Sequence, residues 1–158
     1  MITIMPCLEM LRAVTDINIS SDAARKRVEA FNIANELIVE ADISILIPSQ
    51  MFERISTRLN DDHKAAFQTL YRIDNSTRDA VPKFDLHQAI KLLADAESKA
   101  RPIIILTDSC SDYSSFANSR IKIISSEEFI KRVNLVRYWK KKGILSSFDD
   151  ALGIILFR

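Results

Sequence analysis

Carboxylates set just after short apolar runs are the residues of this chain best suited to chemistry. Glu53 comes soon after the run Ile43–Ile47, Asp85 opens a helical pattern, and Asp108 and Asp112 follow Ile103–Leu106. Apolar runs separated by helical patterns read as parallel strands buried on both faces. Open sheets of that kind carry their sites at the carboxyl ends of the strands. Acids gathered there suit Mg²⁺ or Mn²⁺, hard cations that take oxygen ligands and retain water. A cation so held orients a water for in-line attack on a phosphodiester and stabilises the leaving oxygen. The ligands must come from separate elements, because neighbours along one strand point to opposite faces.

Each acid also has a structural reading. Glu53 sits beside the Phe52/Ile55 stripe, at the boundary between core and solvent. Asp85 opens a helix, where capping and the helix dipole favour any acid. Asp108 or Asp112 suits an Asx turn after the strand. Only the joint pattern raises a metal site above these alternatives.

The elements that must position these acids follow from periodicity. Ile2–Met5 is a first strand and Leu8–Val14 a short helix. A helix over Asp22–Glu40, capped by Ser20 or Ser21, turns Val28, Phe31, Ala34 and Leu37/Ile38 to one face. Arg25, Lys26, Arg27 and Glu29 then face elsewhere. Ile43–Ile47 is a second strand, followed by a helix from Pro48-Ser49 that uses Phe52, Ile55 and Leu59. A further helix spans Asp61–Ile73, a loop Asp74–Lys83, and a helix Phe84–Ala100 that Pro102 ends. Ile103–Leu106 is the third strand, Ser109–Asn118 a loop, Ile121–Ile124 a fourth strand and Ser125–Val136 a helix. A last helix over Phe148–Phe157 is capped near Ser146/Ser147. The alternation predicts an α/β fold. Its central sheet is mainly parallel, of about four to five strands with helices on both faces, plus a C-terminal helical extension. The expected division is a domain over 1–136 with a basic and apolar extension, 137–158, packed on it.

Composition narrows the function. The chain has 158 residues, 47% of them hydrophobic, which suffices for one core. Charged residues make up 27% and the formal net charge is +1, so a nucleic-acid surface has to be a local patch. Cys7 and Cys110 are the only cysteines and stand in no C-x-x-C pair, which suits reduced thiols in a cytoplasmic protein. No apolar run approaches the length of a membrane span. Gly143 and Gly153 are the only glycines. Walker loops, dinucleotide fingerprints and nucleophile elbows all need glycines after a strand, so these classes are excluded. His63 lies among Asp61 and Asp62, and His87 falls on a different helix face from Asp85. Neither is expected to be catalytic.

The span from about Ile43 to Phe129 resembles the PIN-domain family, metal-dependent nucleases that include the VapC toxins of toxin–antitoxin pairs. Ile43 to Glu53, with Pro48 between strand and acid, is similar to the family's strand, proline and acid-bearing helix. Phe84-Asp85-Leu86 resembles its helix opening on an aspartate. Ile105 to Tyr113 resembles its threonine-led loop, which often ends in Asp-Phe or Asp-Tyr, and Ile121 to Phe129 its last strand and helix start. The resemblance implies a Mg²⁺- or Mn²⁺-dependent endoribonuclease, with an antitoxin-like protein as one kind of partner. Glu53 and Asp85 would be metal ligands, with Asp108 or Asp112 as the fourth acid. The departure is at the first strand, where Met5 stands in place of the family's aspartate. A thioether is a poor ligand for a hard cation, and Glu9 on the next turn is the candidate substitute. The alternative is therefore a catalytically inactive PIN-like protein that binds RNA or a protein partner.

Between Ser119 and Gly143 there are eight basic residues and two acids. Arg137, Lys140, Lys141 and Lys142 flank Tyr138 and Trp139. Basic and aromatic side chains together suit single-stranded RNA, with phosphates on the cations and bases on the rings. The competing reading is a solvated helix face with Trp139 packed inward. The apolar tail, Phe148–Phe157, either covers the sheet or forms a homodimer or partner contact.

Overall fold

The computed structural model describes residues 1–15, 21–57, 59–62, 64–65, 71–74 and 86–158. In chain order these form β1 (Ile2–Pro6), α1 (Leu8–Thr15), α2 (Asp22–Glu40), β2 (Ile43–Pro48), α3 (Ser49–Ser56), β3 (Arg72–Asp74) and α4 (Leu86–Glu97). Then come β4 (Ile103–Leu106), α5 (Cys110–Tyr113), a 3₁₀ turn (Ser114–Phe116), β5 (Ile121–Ile124), α6 (Ser126–Lys141) and α7 (Phe148–Leu156).

The five strands among the described residues are all parallel, in the order β3-β2-β1-β4-β5. Isoleucine pairs with isoleucine across the centre: Ile4 stands opposite Ile45 on one side and Ile104 on the other. Branched side chains suit a sheet buried on both faces, and every residue of β1 and β4 is buried. Successive β1 side chains serve opposite layers. Ile2 faces Gly153 of α7, whereas Thr3 bonds Glu97 of α4. Pro6 and Pro48 end β1 and β2 at the same edge; neither has an N–H to continue a ladder.

The chain moves outward from β1 through β2 to β3, then returns to the other side of β1 to add β4 and β5. The switch of direction lies between β1 and β4, and ligands of open α/β sheets bind outside the carboxyl ends of the strands at such a point. The predicted α/β architecture is therefore present, with the parallel sheet, flanking helices and C-terminal helix. No helix among the described residues is long and apolar enough to cross a membrane.

Several predicted boundaries are corrected. The helix expected over Asp61–Ile73 does not reach its end, because Arg72–Asp74 is a strand paired with β2. Pairing with Leu46, Ile47 and Pro48, rather than intrinsic propensity, makes this short edge strand. The loop expected over Ser109–Asn118 contains α5 and the 3₁₀ turn. The helix expected to stop at Val136 continues to Lys141. There it ends in a Schellman motif. Gly143 takes φ 73°, its N–H donates to Lys140 O at 3.0 Å, and Ile144 N–H donates to Trp139 O at 3.2 Å. The loop expected over Asp74–Lys83 and the start of the helix at Phe84 lie almost entirely outside the described residues, as do His63 and Asp85.

Candidate functional site

The switch point is built from the segments after β1 and β4. Beyond Pro6 the chain turns at Cys7, whose carbonyl accepts from Met10 N at 3.0 Å, and α1 begins. This puts Glu9 in the first turn of α1, where an acid complements the helix dipole. Across the crevice, Cys7 N donates to Leu106 O and Thr107 N to Ile124 O, both at 3.0 Å. Those bonds extend the sheet and fix the start of the β4 loop. Fully buried Thr107 donates its hydroxyl to Glu9 Oε1, and Asp108 N–H donates to the same oxygen at 3.1 Å. Ser109 N–H closes the loop onto Thr107 Oγ1 at 3.0 Å. The Glu9 carboxylate is thus held at the carboxyl ends of both central strands.

Asp108 is held as firmly. Its Oδ2 accepts from Arg27 Nε at 2.7 Å, and its Oδ1 from Ser126 N–H, the first residue of α6, at 2.9 Å. Partial burial raises its carboxyl pKa, but the bonds from Ser126 and Arg27 outweigh that and hold it below the ordinary aspartate value. Ser125 caps the same helix by accepting from Glu128 N at 3.3 Å.

Beneath these acids lies a sulfur and aromatic layer. Burial, reinforced by the Glu9 charge, pushes the Cys7 thiol up to about 12 although Tyr113 and Thr107 hydrogen-bond it. Cys110 donates its thiol to Thr107 O at 3.3 Å and is raised by burial and by Asp108. Burial also raises Tyr113, whose ring lies 4.8 Å from His87 and 5.5 Å from Phe116. His87, itself exposed, is tilted against both rings, at 4.6 Å from Phe116.

Of the four acids expected at the metal site, three are described and Asp85 lies outside the described residues. Asp108 stands at the switch point. Asp112 is exposed on α5, and Glu53 is exposed on α3, just beyond the end of β2. Among the described residues no three His, Cys, Asp or Glu side chains gather closely enough to share a metal ion. Met5 is fully buried within the sheet. Glu9 and Asp108 are hard oxygen donors of the type that Mg²⁺ and Mn²⁺ take, whereas Met5 is not. The donor set therefore fits in part, and Arg27 already holds one of its two acids.

Arg27 is the participant that sequence reasoning missed. The apolar stripe of α2 assigns it to the outward face with its basic neighbours. A contrary signal exists, since Arg27 precedes buried Phe31 by four residues and so rises from the edge of the inward face. Serine at the start of α3 is a second unexpected feature: Ser49 Oγ is the one buried side-chain N or O atom among the described residues with no hydrogen-bond partner.

The basic stretch divides in two. Arg137 turns toward α2, where it reaches Glu36 and Glu40 at 2.8 Å each, so its charge is matched within the fold. Trp139 packs against the core, as the structural reading expects. Lys140, Lys141 and Lys142 are exposed at the end of α6, with Tyr138 56% exposed beside them. At the amino edge of the sheet, Ile2, Pro102, Arg120 and Asp149 line an open groove of about 870 Å³, away from the acids.

No known protein family, curated protein or solved structure matches this chain.

Proposed function

We propose that this chain is a PIN-like, metal-dependent endoribonuclease with an atypical acidic edge, in which Glu9 takes the part of the aspartate replaced by Met5. The observation that carries this reading is the position of Glu9. Its carboxylate is anchored by Thr107 and Asp108 at the switch point between β1 and β4. Glu9 and Asp108 would hold Mg²⁺ or Mn²⁺, with Glu53 and Asp85 as the further acids that the resemblance implies. The cation would supply a deprotonated water and neutralise charge developing on phosphate. The chain's own part is to fix the Glu9 and Asp108 carboxylates through Thr107, Ser126 and Arg27.

A second reading has its own support. The Arg27 guanidinium on Asp108 places a positive charge where a cation ligand is expected. That arrangement favours an inactive PIN-like protein that binds RNA without cutting it. The distinguishing experiment is cleavage of single-stranded and structured RNA with Mn²⁺, comparing wild type with Glu9→Gln, Asp85→Asn and Asp108→Asn. The nuclease reading expects wild-type cleavage lost in each variant. No cleavage by any protein, or equal cleavage by all, would sink it, and chelator-insensitive RNA binding would support the second reading.

A further inference from the structure

We propose that the outer face of α6 is a docking track for single-stranded RNA, with bases stacked on Tyr138 and phosphates on Lys141 and Lys142. The proposal deepens the ribonuclease reading and rests on it for the choice of RNA as polyanion. Its grounds are the position and charge of one helix.

α6 joins two ends of the molecule. Its first residue, Ser126, donates its N–H to Asp108 at the acidic edge, 2.9 Å away. Because α6 follows a parallel strand and packs back along the sheet, its last turn lies toward the opposite edge. Its length, about 1.5 Å per residue, separates those ends by roughly 24 Å. That distance accommodates several nucleotides between an anchoring patch and the acids.

The charge along this track is one-sided. Four of the acids near α6 are paired with cations of the fold. Glu127 pairs with Lys26 at 3.3 Å, Glu128 with Arg132 at 2.8 Å, and Glu36 and Glu40 with Arg137. Asp149 and Asp150 open α7, and Asp149 accepts from Asp42 N–H at 3.0 Å. Lys141 and Lys142 form no ion pair among the described residues. Lys142 Nζ lies over one face of the Tyr138 ring, 5.5 Å from its centroid, so a base stacked on the other face would keep its phosphate within reach of the ammonium. Lysines also complement the dipole at a helix C-terminus, but that role does not require an exposed tyrosine beside them.

The test is fluorescence anisotropy with fluorescein-labelled oligouridylates of rising length, in EDTA so that binding is separated from cleavage. Wild type should bind with an affinity that falls as salt rises. Tyr138→Ala should weaken binding roughly tenfold while Tyr138→Phe retains it, since stacking needs the ring and not the hydroxyl. Lys141→Gln with Lys142→Gln should reduce the salt slope by about 1.4, at about 0.7 per phosphate contact on single strands. Circular dichroism establishes that the variants are folded. No binding by wild type at low salt, or equal affinity and slope in folded variants, overturns the proposal. Binding to phosphatidylserine vesicles without binding to oligouridylate also overturns it, by assigning the face to membranes. Tyr138-dependent binding by a protein that never cleaves with Mn²⁺ removes the ribonuclease reading and leaves the docking track established.

Discussion

Arg27 Nε and Asp108 Oδ2 lie 2.7 Å apart, joining residues separated by 81 positions in the chain. The pair ties α2 to the loop after β4, and the other oxygen of Asp108 ties that loop to α6. One carboxylate therefore fixes three elements around the switch point.

The depressed pKa of Asp108 makes this a pH-dependent contribution. The folded protein holds the carboxyl below its ordinary value of 3.8, so the unfolded chain binds the proton more readily. Stability is present above the ordinary value and is lost as pH falls through the folded one. Asp108→Asn should flatten the acid limb of a stability–pH curve, measured by urea melts at successive pH values. Asp108→Ala should cost about 1–2 kcal/mol at neutral pH, through the lost bond at the α6 terminus and the unpaired Arg27.

Glu9 separates structural from chemical roles. Glu9→Ala should destabilise by about 1–2 kcal/mol, because buried Thr107 loses the acceptor of its hydroxyl. Glu9→Gln keeps an acceptor oxygen, so its thermal midpoint should stay near wild type while any Mn²⁺-dependent cleavage is lost. A large stability loss in Glu9→Gln would mean that the charge itself, and not the hydrogen bonds, holds the loop.

Ser49 is expected to respond in the opposite sense. Its buried hydroxyl has no hydrogen-bond partner, so removing it relieves an unsatisfied polar group. Ser49→Ala should raise stability by roughly 0.5–1 kcal/mol, or at least cost nothing, in chemical denaturation. A loss above about 1 kcal/mol would show that the hydroxyl is satisfied in solution.

At Gly143 the backbone adopts φ 73° to close α6. Gly143→Ala should cost about 1 kcal/mol, since the left-handed conformation is strained for an alanine even with open space around its Cβ. Gly143→Asn should recover part of that loss in the same thermal melts.

Thiol chemistry provides a probe of the sulfur layer. Burial pushes Cys7 up to about 12, so its thiol is protonated and shielded at neutral pH. Iodoacetamide should modify Cys110 first in the native protein, by mass spectrometry of the digested chain. Cys7 should react only once the sheet opens. Early labelling of Cys7 would contradict its burial at the end of β1.

Local pattern was sufficient for most of the fold. Ile2–Met5, Ile43–Ile47, Ile103–Leu106 and Ile121–Ile124 are isoleucine-rich runs between helical patterns, which is the local signature of buried parallel strands. The serine caps of α2 and α7 were also legible, because capping is a bond between near neighbours. Arg72–Asp74 was not legible as a strand, since its pairing with β2 comes from a distant part of the chain.

For the site, the sequence determined which acids follow strands, but strand order decided which of them meet. Glu9 and Asp108 come together because β1 and β4 are neighbours, a fact of topology that no spacing in the chain encodes. The same holds for Arg27, whose run of basic neighbours reads as a solvated face until α2 is laid across the sheet. Periodicity reports which face of an element is apolar. Which charges a long-range contact brings together depends on the packing of whole elements, and here that packing alone set Arg27 against Asp108 and left Lys141 and Lys142 facing solvent.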